Sequence, residues 1–287
     1  MAYDAFPAAA NGVLDFLRGQ RLVDVVPVLP SPPDFGLTSK DYAQHRVGFP
    51  DSFFARLASL AIGKPGQQVI DLGTGTGSLA RGFARQGCCV TGIDIAAPQL
   101  EQARALSEAD GLSIDFRVGR AEITGLPDRS ADVVSAGQCW HWFDRPRAAV
   151  EVARILRPDG SVVIAHFDWI PLPDNVAQVT ETLIASYSPT WKPGLGLGLY
   201  PQWLRDLGLA GFRDLQTFSY DVDVPYTHEA WRGRVRASAG VGAVLPAEKV
   251  QAFDEEFARL LAARFPSPVL QILHRVWAVI GVAPRKD

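Results

Sequence analysis

The 287-residue sequence has one methionine, three cysteines and five histidines, and no basic surplus: 28 Lys and Arg stand against 31 Asp and Glu. Each shortage excludes something. A protein that works through phosphate contacts carries excess positive charge, so nucleic acid is not expected as a main partner. The cysteines, Cys88, Cys89 and Cys139, are odd in number and two are adjacent. That makes no disulfide framework and points to reduced thiols in a reducing compartment. No Cys/His cluster has metal-ligand spacing. No apolar run approaches the roughly 20 residues of a bilayer span, and the N-terminus lacks the pattern of a secretory signal. The expectation is a cytoplasmic, soluble monomer or homodimer with no membrane partner. Present instead is an ordinary balance of 47% apolar and 21% charged residues, enough to build a large α/β core.

Residues 1–38 read as an N-terminal arm. They end in Pro30-Ser31-Pro32-Pro33, which neither continues a helix nor enters a central strand. An extended arm packed on the main domain and a lid or dimer contact are both open readings. From Asp51 a helix is expected, with Phe53, Phe54, Leu57 and Leu60 at helical spacing and Gly63 and Pro65 as its stop. Short apolar strands then alternate with helices. The strands are Gln67–Leu72, Cys89–Asp94, Ile114–Val118, Asp132–Ala136 and Ser161–Phe167. The helices run from the first Gly-rich turn to about Gln86, from Pro98 to Ala109, and from Arg147 to Leu156. Strands this uniformly apolar belong to a parallel sheet covered on both faces. Leu215–Val222 and Arg275–Val282 read as two more strands which, if adjacent, form an antiparallel pair at one edge. Residues 39–287 are thus expected to form one α/β domain, a doubly wound, seven-stranded, mostly parallel Rossmann-like sheet. Helical cap insertions fall at about 169–212, with a helix near Val176–Ser186, and at about 224–268, with two helical patterns.

The first strand runs into Gly73-Thr74-Gly75-Thr76-Gly77. Glycines in such a loop let the backbone turn tightly and approach a ligand. The spacing is GxGxG, one residue short of the GxGxxG that aims a helix at a dinucleotide pyrophosphate. Asp71, just before the loop, would repel a pyrophosphate and suits an ammonium group, held directly or through water. Asp94, at the end of the second strand, is placed to take both hydroxyls of a ribose. An amino-acid-bearing nucleoside fits these residues better than a nicotinamide cofactor.

Val69-Ile70-Asp71-Leu72-Gly73-Thr74-Gly75-Thr76-Gly77 resembles motif I of class I S-adenosylmethionine-dependent methyltransferases. Asp94 resembles their acidic ribose contact. Gly119-Arg120-Ala121-Glu122, Leu126-Pro127-Asp128 and Ser130-Ala131-Asp132-Val133-Val134 resemble the following blocks, except that Arg120 stands where the family has a small acid. Backbone contacts at Ala121, or Glu122, would then serve the adenine. Gln138-Cys139-Trp140-His141-Trp142-Phe143-Asp144 narrows the likeness to the type-11 methyltransferases that include trans-aconitate methyltransferase-like proteins. Tyr42, Arg46 and Val47-Gly48-Phe49-Pro50 resemble the start of that domain. The resemblance covers roughly residues 40–168. It implies transfer of a methyl group from S-adenosylmethionine to a small molecule, with S-adenosylhomocysteine as product and an oxygen acceptor favoured. The cofactor set it implies is Tyr42, Arg46, Asp71, Gly73, Thr74, Gly75, Gly77, Asp94, Ile95, Gln99, Arg120, Ala121, Glu122 and Gln138.

The remaining candidates have two readings each. His141 is the expected catalytic residue, a general base for a hydroxyl or amine, or else a histidine that holds its loop. Trp140, Trp142, His166 and Trp231 are candidate substrate contacts, and core packing is the alternative for the tryptophans. His166, Asp168 and Asp144 only partly match a catechol-type metal site, and no metal is expected. Trp231-Arg232-Gly233-Arg234-Val235-Arg236 is a carboxylate clamp or a solvated helix face. Leu195–Leu199 is a flexible lid or a close-packed turn. Cys139 is placed to touch an adenine edge. A nicotinamide-dependent oxidoreductase and a non-catalytic cofactor-binding protein are the rival functions.

Overall fold

The apolar runs become the strands of one sheet. The computed structural model describes residues 47–189, 191 and 197–285. Its strands are β1 (Gln68–Leu72), β2 (Cys89–Asp94), β3 (Asp115–Val118), β4 (Ala131–Gly137), β5 (Leu156–Trp169), β6 (Arg213–Thr227) and β7 (Val269–Val282). They lie in the order β3-β2-β1-β4-β5-β7-β6. The first five are parallel, and β7 runs antiparallel to both β5 and β6. Strand order reverses between β1 and β4, which opens a crevice at their carboxyl ends, where ligands bind in sheets of this kind.

Helices cover both faces: α1 (Asp51–Ser59), α2 (Ser78–Arg85), α3 (Ala97–Ala109), α4 (Arg145–Ile155), α5 (Val176–Tyr187), α6 (Gln202–Leu209), α7 (His228–Arg236) and α8 (Ala247–Arg264). One core layer joins Phe53 and Phe83 to Val69, Val133 and Val163, and continues to Ile184, Trp231, Phe253 and Phe257 of the cap helices. The other packs Ala148, Val152, Trp203 and Leu207 against Ile70, Val134 and Ile164. Side chains alternate across each strand, so the two layers draw on alternate residues.

Three elements depart from expectation. Helix α6 is an element the sequence reading does not contain; burial of Trp203 and Leu207 holds it in place. Strand β6 continues to Thr227, so the second insertion starts at His228 rather than near residue 224. Asp223 and Pro225, beyond the expected end at Val222, are poor strand formers, but β6 is the sheet edge and pairs only with β7. An edge strand tolerates proline and charge because half its backbone groups face outward. Helix α4 starts two residues before the expected Arg147, because the Asp144 side chain accepts from the Arg147 N–H and proline sits in the first turn. The arm at 1–38, Tyr42, Arg46 and most of the Gly-rich lid candidate lie outside the described residues.

Candidate active site

After β1 the chain turns through Gly73, Gly75 and Gly77 at φ of +61°, +55° and +79°. This is the left-handed region that side chains resist. The first two glycines serve different ends. A Cβ on Gly73 would stand 2.7 Å from Cys139 Sγ, whereas one on Gly75 would meet nothing closer than Gln99 Oε1 at 4.0 Å. Gly73 is required by packing, and Gly75 clears open space. The loop is tied to β2 by the Thr74 N–H, which donates to the Ile93 carbonyl at 3.1 Å.

Asp71 lies beneath the loop, 1% exposed. Thr74 Oγ1 donates to one carboxylate oxygen at 2.6 Å and Ser135 Oγ to the other at 2.7 Å. Burial pushes this carboxyl up to about 6, against the pull of the two hydroxyl bonds. Asp71 therefore ties β1, the loop and β4 together. Each oxygen accepts one of these bonds and keeps acceptor capacity, and Asp71 borders the cleft in which the ammonium group is expected. Ser135, its partner on β4, carried no signal in the sequence.

Asp94 closes β2 beside the loop. Its Oδ2 accepts from the Gly75 N–H and its Oδ1 from the Ala96 N–H, each at 2.8 Å. Burial raises its pKa, and these backbone bonds oppose the rise. The next residue, Ile95, is 70% exposed at the carboxyl edge of the sheet. Gln99 is buried on α3 and Ala121 is buried after β3. The Arg120 guanidinium lies 3.3 Å from Glu122, whose other oxygen accepts from the Asp144 N–H at 2.9 Å. Glu122 thus holds the start of α4.

Gln138 ends β4 at φ +64°. Its N–H donates to Ala165 O at 2.8 Å and its side-chain amide donates to Phe167 O. A non-glycine residue held in this region stores strain, a feature that recurs at ligand sites. Gly137, Gln138 and Phe167 form one wall of a cleft, with Val47, Phe49 and Leu79 beside them and Asp71, Gly73–Thr76 and Ser78 as its floor. Phe49 approaches Phe167 with ring centroids 5.9 Å apart. Phe167 was not singled out in the sequence.

His141 follows β4 in a single 3₁₀ turn, Trp140–Trp142, half-buried. Its ring lies 4.6 Å from that of Trp142 and 5.9 Å from that of His166, centroid to centroid. Trp142 is 39% exposed. Three expected substrate contacts prove to be core residues. Trp140 is fully buried and its indole N–H donates to Asp206 at 3.1 Å. Trp231 is fully buried, donates to Thr180 Oγ1 at 3.1 Å and packs edge-on to Trp169. His166 is 1% exposed, stacked on Tyr200 at 3.7 Å. Its Nε2 accepts from the Trp203 indole N–H at 3.2 Å, which puts the ring proton on Nδ1. Cys139 also differs from expectation: its thiol donates to the Leu72 carbonyl at 3.1 Å and supports the loop from behind. Among the described residues, no group of three His, Cys, Asp or Glu is placed to hold a metal.

The basic cluster on α7 divides. Arg232 and Arg236 both bond to Asp254 and lie beside Glu229, a half-buried network rather than a solvated face. Arg234 faces the other way, its guanidinium 4.7 Å from the centroid of the Trp169 ring.

Residues 70–164 match the family model described as a methyltransferase domain. An uncharacterized methyltransferase of Mycobacterium tuberculosis is 36% identical over 127 residues, 44% of this chain and 49% of that protein. The chain thus aligns with about half the length of this relative. A ubiquinone biosynthesis O-methyltransferase of Xanthomonas euvesicatoria is 29% identical over 180 residues, 61% of this chain and 72% of that one. Among solved structures, the Bacillus YcgJ protein superposes with a TM-score of 0.53 at 19% identity, covering 83% of this chain and all of that one. The Haemonchus contortus phosphoethanolamine N-methyltransferase 2, solved with S-adenosyl-L-methionine, gives 0.53 at 17% identity over 94% of this chain and 60% of its own. At those identities the structural likeness speaks for the fold. The matched segment thus gives a methyltransferase domain at residues 70–164, and the structural likeness agrees with its fold.

Proposed function

We propose that the protein transfers the methyl group of S-adenosylmethionine to an oxygen of a small molecule and releases S-adenosylhomocysteine. The observation that carries this reading is the space over Gly75 with the Asp94 carboxylate beside it. A Cβ at residue 75 would intrude where nothing else does, which is the mark of a backbone shaped around a ligand. Asp94 spends one acceptor position per oxygen on Gly75 and Ala96. A carboxylate has about four such positions, so it retains capacity for two ribose hydroxyls. The exposed Ile95 offers an apolar surface for an adenine, Ala121 and Gln99 border that end, and Gly73–Gly77 and Gln138 border the amino-acid end. Arg120 and Glu122 pair with each other at the rim. Tyr42 and Arg46 keep the cofactor roles that the family resemblance implies.

S-adenosylmethionine supplies a methyl carbon already activated by its sulfonium. The residues of this chain then have three tasks. Phe49, Phe167 and Leu79 exclude water from the cleft. The loop and Gln138 fix orientation, which is where most of the acceleration of a bimolecular transfer lies. His141, half-buried after β4, takes the proton of a hydroxyl acceptor, whereas a carboxylate acceptor needs no base. Support for oxygen comes from the ubiquinone O-methyltransferase relatives. The test is transfer of label from methyl-labelled S-adenosylmethionine to a panel of phenols, alcohols and carboxylic acids, with Asp94→Ala as control. The wild type labels at least one acceptor. Asp94→Ala loses at least tenfold in affinity for S-adenosylhomocysteine while its circular dichroism is unchanged. Unaltered affinity in the variant contradicts the ribose assignment, and absence of label from every acceptor contradicts the enzymatic one.

A further inference from the structure

We infer that a second cavity, at the β6 edge of the sheet, binds a small neutral aromatic molecule whose acceptor oxygen takes the Trp277 indole N–H. The inference does not rest on the methyltransferase reading. The cavity has a volume of about 340 Å³. Leu199, Pro201 and, from α6, Leu204 line it together with Thr217 and Ser219 of β6 and Trp277 of β7. In the sheet register Ser219 stands opposite Trp277 and Thr217 opposite Val279, so these side chains share one face. The cleft at Gly73–Thr76 has no lining residue in common with it.

An unused donor defines the chemistry of the ligand. A buried indole N–H ordinarily finds an acceptor. Here the indoles of Trp140, Trp169, Trp191, Trp203 and Trp231 each donate to one. Trp277 is only 4% exposed, yet among the described residues its N–H donates to none. Of the rings beside it, His166 already takes the Trp203 N–H on Nε2. Tyr200, 5.6 Å away between centroids, gives its hydroxyl to Asp168. An acceptor atom of a molecule in the cavity would match the Trp277 donor, and the hydroxyls of Thr217 and Ser219 can serve the same molecule. No lining residue carries charge, so an ionised group would enter without a partner and at a large cost. The leucines, the proline and the indole suit a flat apolar body. Small-molecule sites start at about 300 Å³, so this cavity fits one ring-sized ligand rather than a nucleotide cofactor.

The experiment is calorimetric titration of acetophenone, a neutral aryl ketone, and of benzoate into the full-length protein. The wild type binds acetophenone, and benzoate at least tenfold more weakly. Trp277→Phe keeps a ring but loses the N–H, and weakens acetophenone about fivefold, the net worth of one hydrogen bond. Ser219→Phe puts a ring into the cavity from an exposed position on the edge strand and abolishes binding. It decides the matter if the Trp277 variant does not fold. Both variants keep the wild-type affinity for S-adenosylhomocysteine. No binding of acetophenone would leave the N–H to water and overturn the assignment. So would equal binding of benzoate, an affinity untouched by Trp277→Phe in folded protein, or binding that survives Ser219→Phe. Failure of the wild type to bind S-adenosylhomocysteine would count against the cleft and leave this site standing.

Discussion

Replacing Asp71 with asparagine should stabilise the protein at neutral pH, although Asp71 lies at the centre of the site. Burial carries this carboxyl from 3.8 to about 6 on folding. At about 1.36 kcal/mol per pH unit, the ionised form costs the native state about 3 kcal/mol. The direction follows from proton binding. The native carboxyl holds its proton more tightly than the unfolded one, so between pH 3.8 and about 6 the native state binds more protons. Stability from this group therefore falls as pH rises through that window, and the full cost is present above it. Asp71→Asn is neutral throughout and nearly isosteric. It has one acceptor oxygen for the hydroxyls of Thr74 and Ser135 and a donor amide toward the other hydroxyl oxygen, an exchange worth about 1 kcal/mol either way. That offset does not depend on pH. The stability of the variant minus that of the wild type should therefore rise by about 2–3 kcal/mol from pH 4 to pH 7.5. Taking the difference removes the opposing contributions of Glu151 and Asp110, whose carboxyls are held low by arginines, and that of Glu181, raised by burial. Urea unfolding followed by tryptophan fluorescence at four or five pH values provides the comparison. Parallel stability curves, or a wild type that gains on the variant as pH rises, would refute the reasoning. The loop should loosen in the same variant and its affinity for S-adenosylhomocysteine should fall, the usual exchange of stability for function.

Gly73→Ala and Gly75→Ala should separate packing from ligand space. The first adds a Cβ 2.7 Å from Cys139 Sγ at a left-handed φ and should cost about 2–4 kcal/mol, read as a lowered Tm. The second has open space around its Cβ and should cost about 1–2 kcal/mol, but it should weaken S-adenosylhomocysteine binding more than tenfold. Trp231→Phe removes the indole bond to Thr180 and should cost about 1–3 kcal/mol in urea unfolding with no change in cofactor affinity; a loss of affinity would return Trp231 to the site. His141→Ala should lower turnover on a hydroxyl acceptor by about 10²–10⁴-fold at unchanged S-adenosylhomocysteine affinity, and unaffected turnover would leave His141 a purely positional role.

The parallel half of the fold was legible because its strands are apolar runs bounded by glycine turns, and β1, β2 and β4 begin and end within a residue of their expected limits. The Gly-rich loop and Asp94 were legible because function constrains backbone there: glycines at positive φ and an acid at a strand end leave a local trace. Residues whose role arises only from tertiary packing left none. Ser135 reads as one polar residue in a strand, yet it holds Asp71 from across the sheet. Trp140, Trp231 and His166 sit in segments rich in chemistry, and sequence alone does not say which face of a turn or helix meets the core. All three are buried through partners on α5 or α6, one of which the sequence did not reveal as a helix. The arginines of α7 show the same limit, since only the position of Asp254 on α8 separates Arg232 and Arg236 from Arg234.

The central claim is that the crevice over Gly75 holds an adenosyl amino acid. Calorimetric titration of the purified protein with S-adenosylmethionine, S-adenosylhomocysteine and NADH tests it most directly. The account predicts one site for each adenosyl ligand and none for NADH. Binding of NADH with silence from both adenosyl ligands would contradict it and make the Gly-rich loop a nicotinamide site.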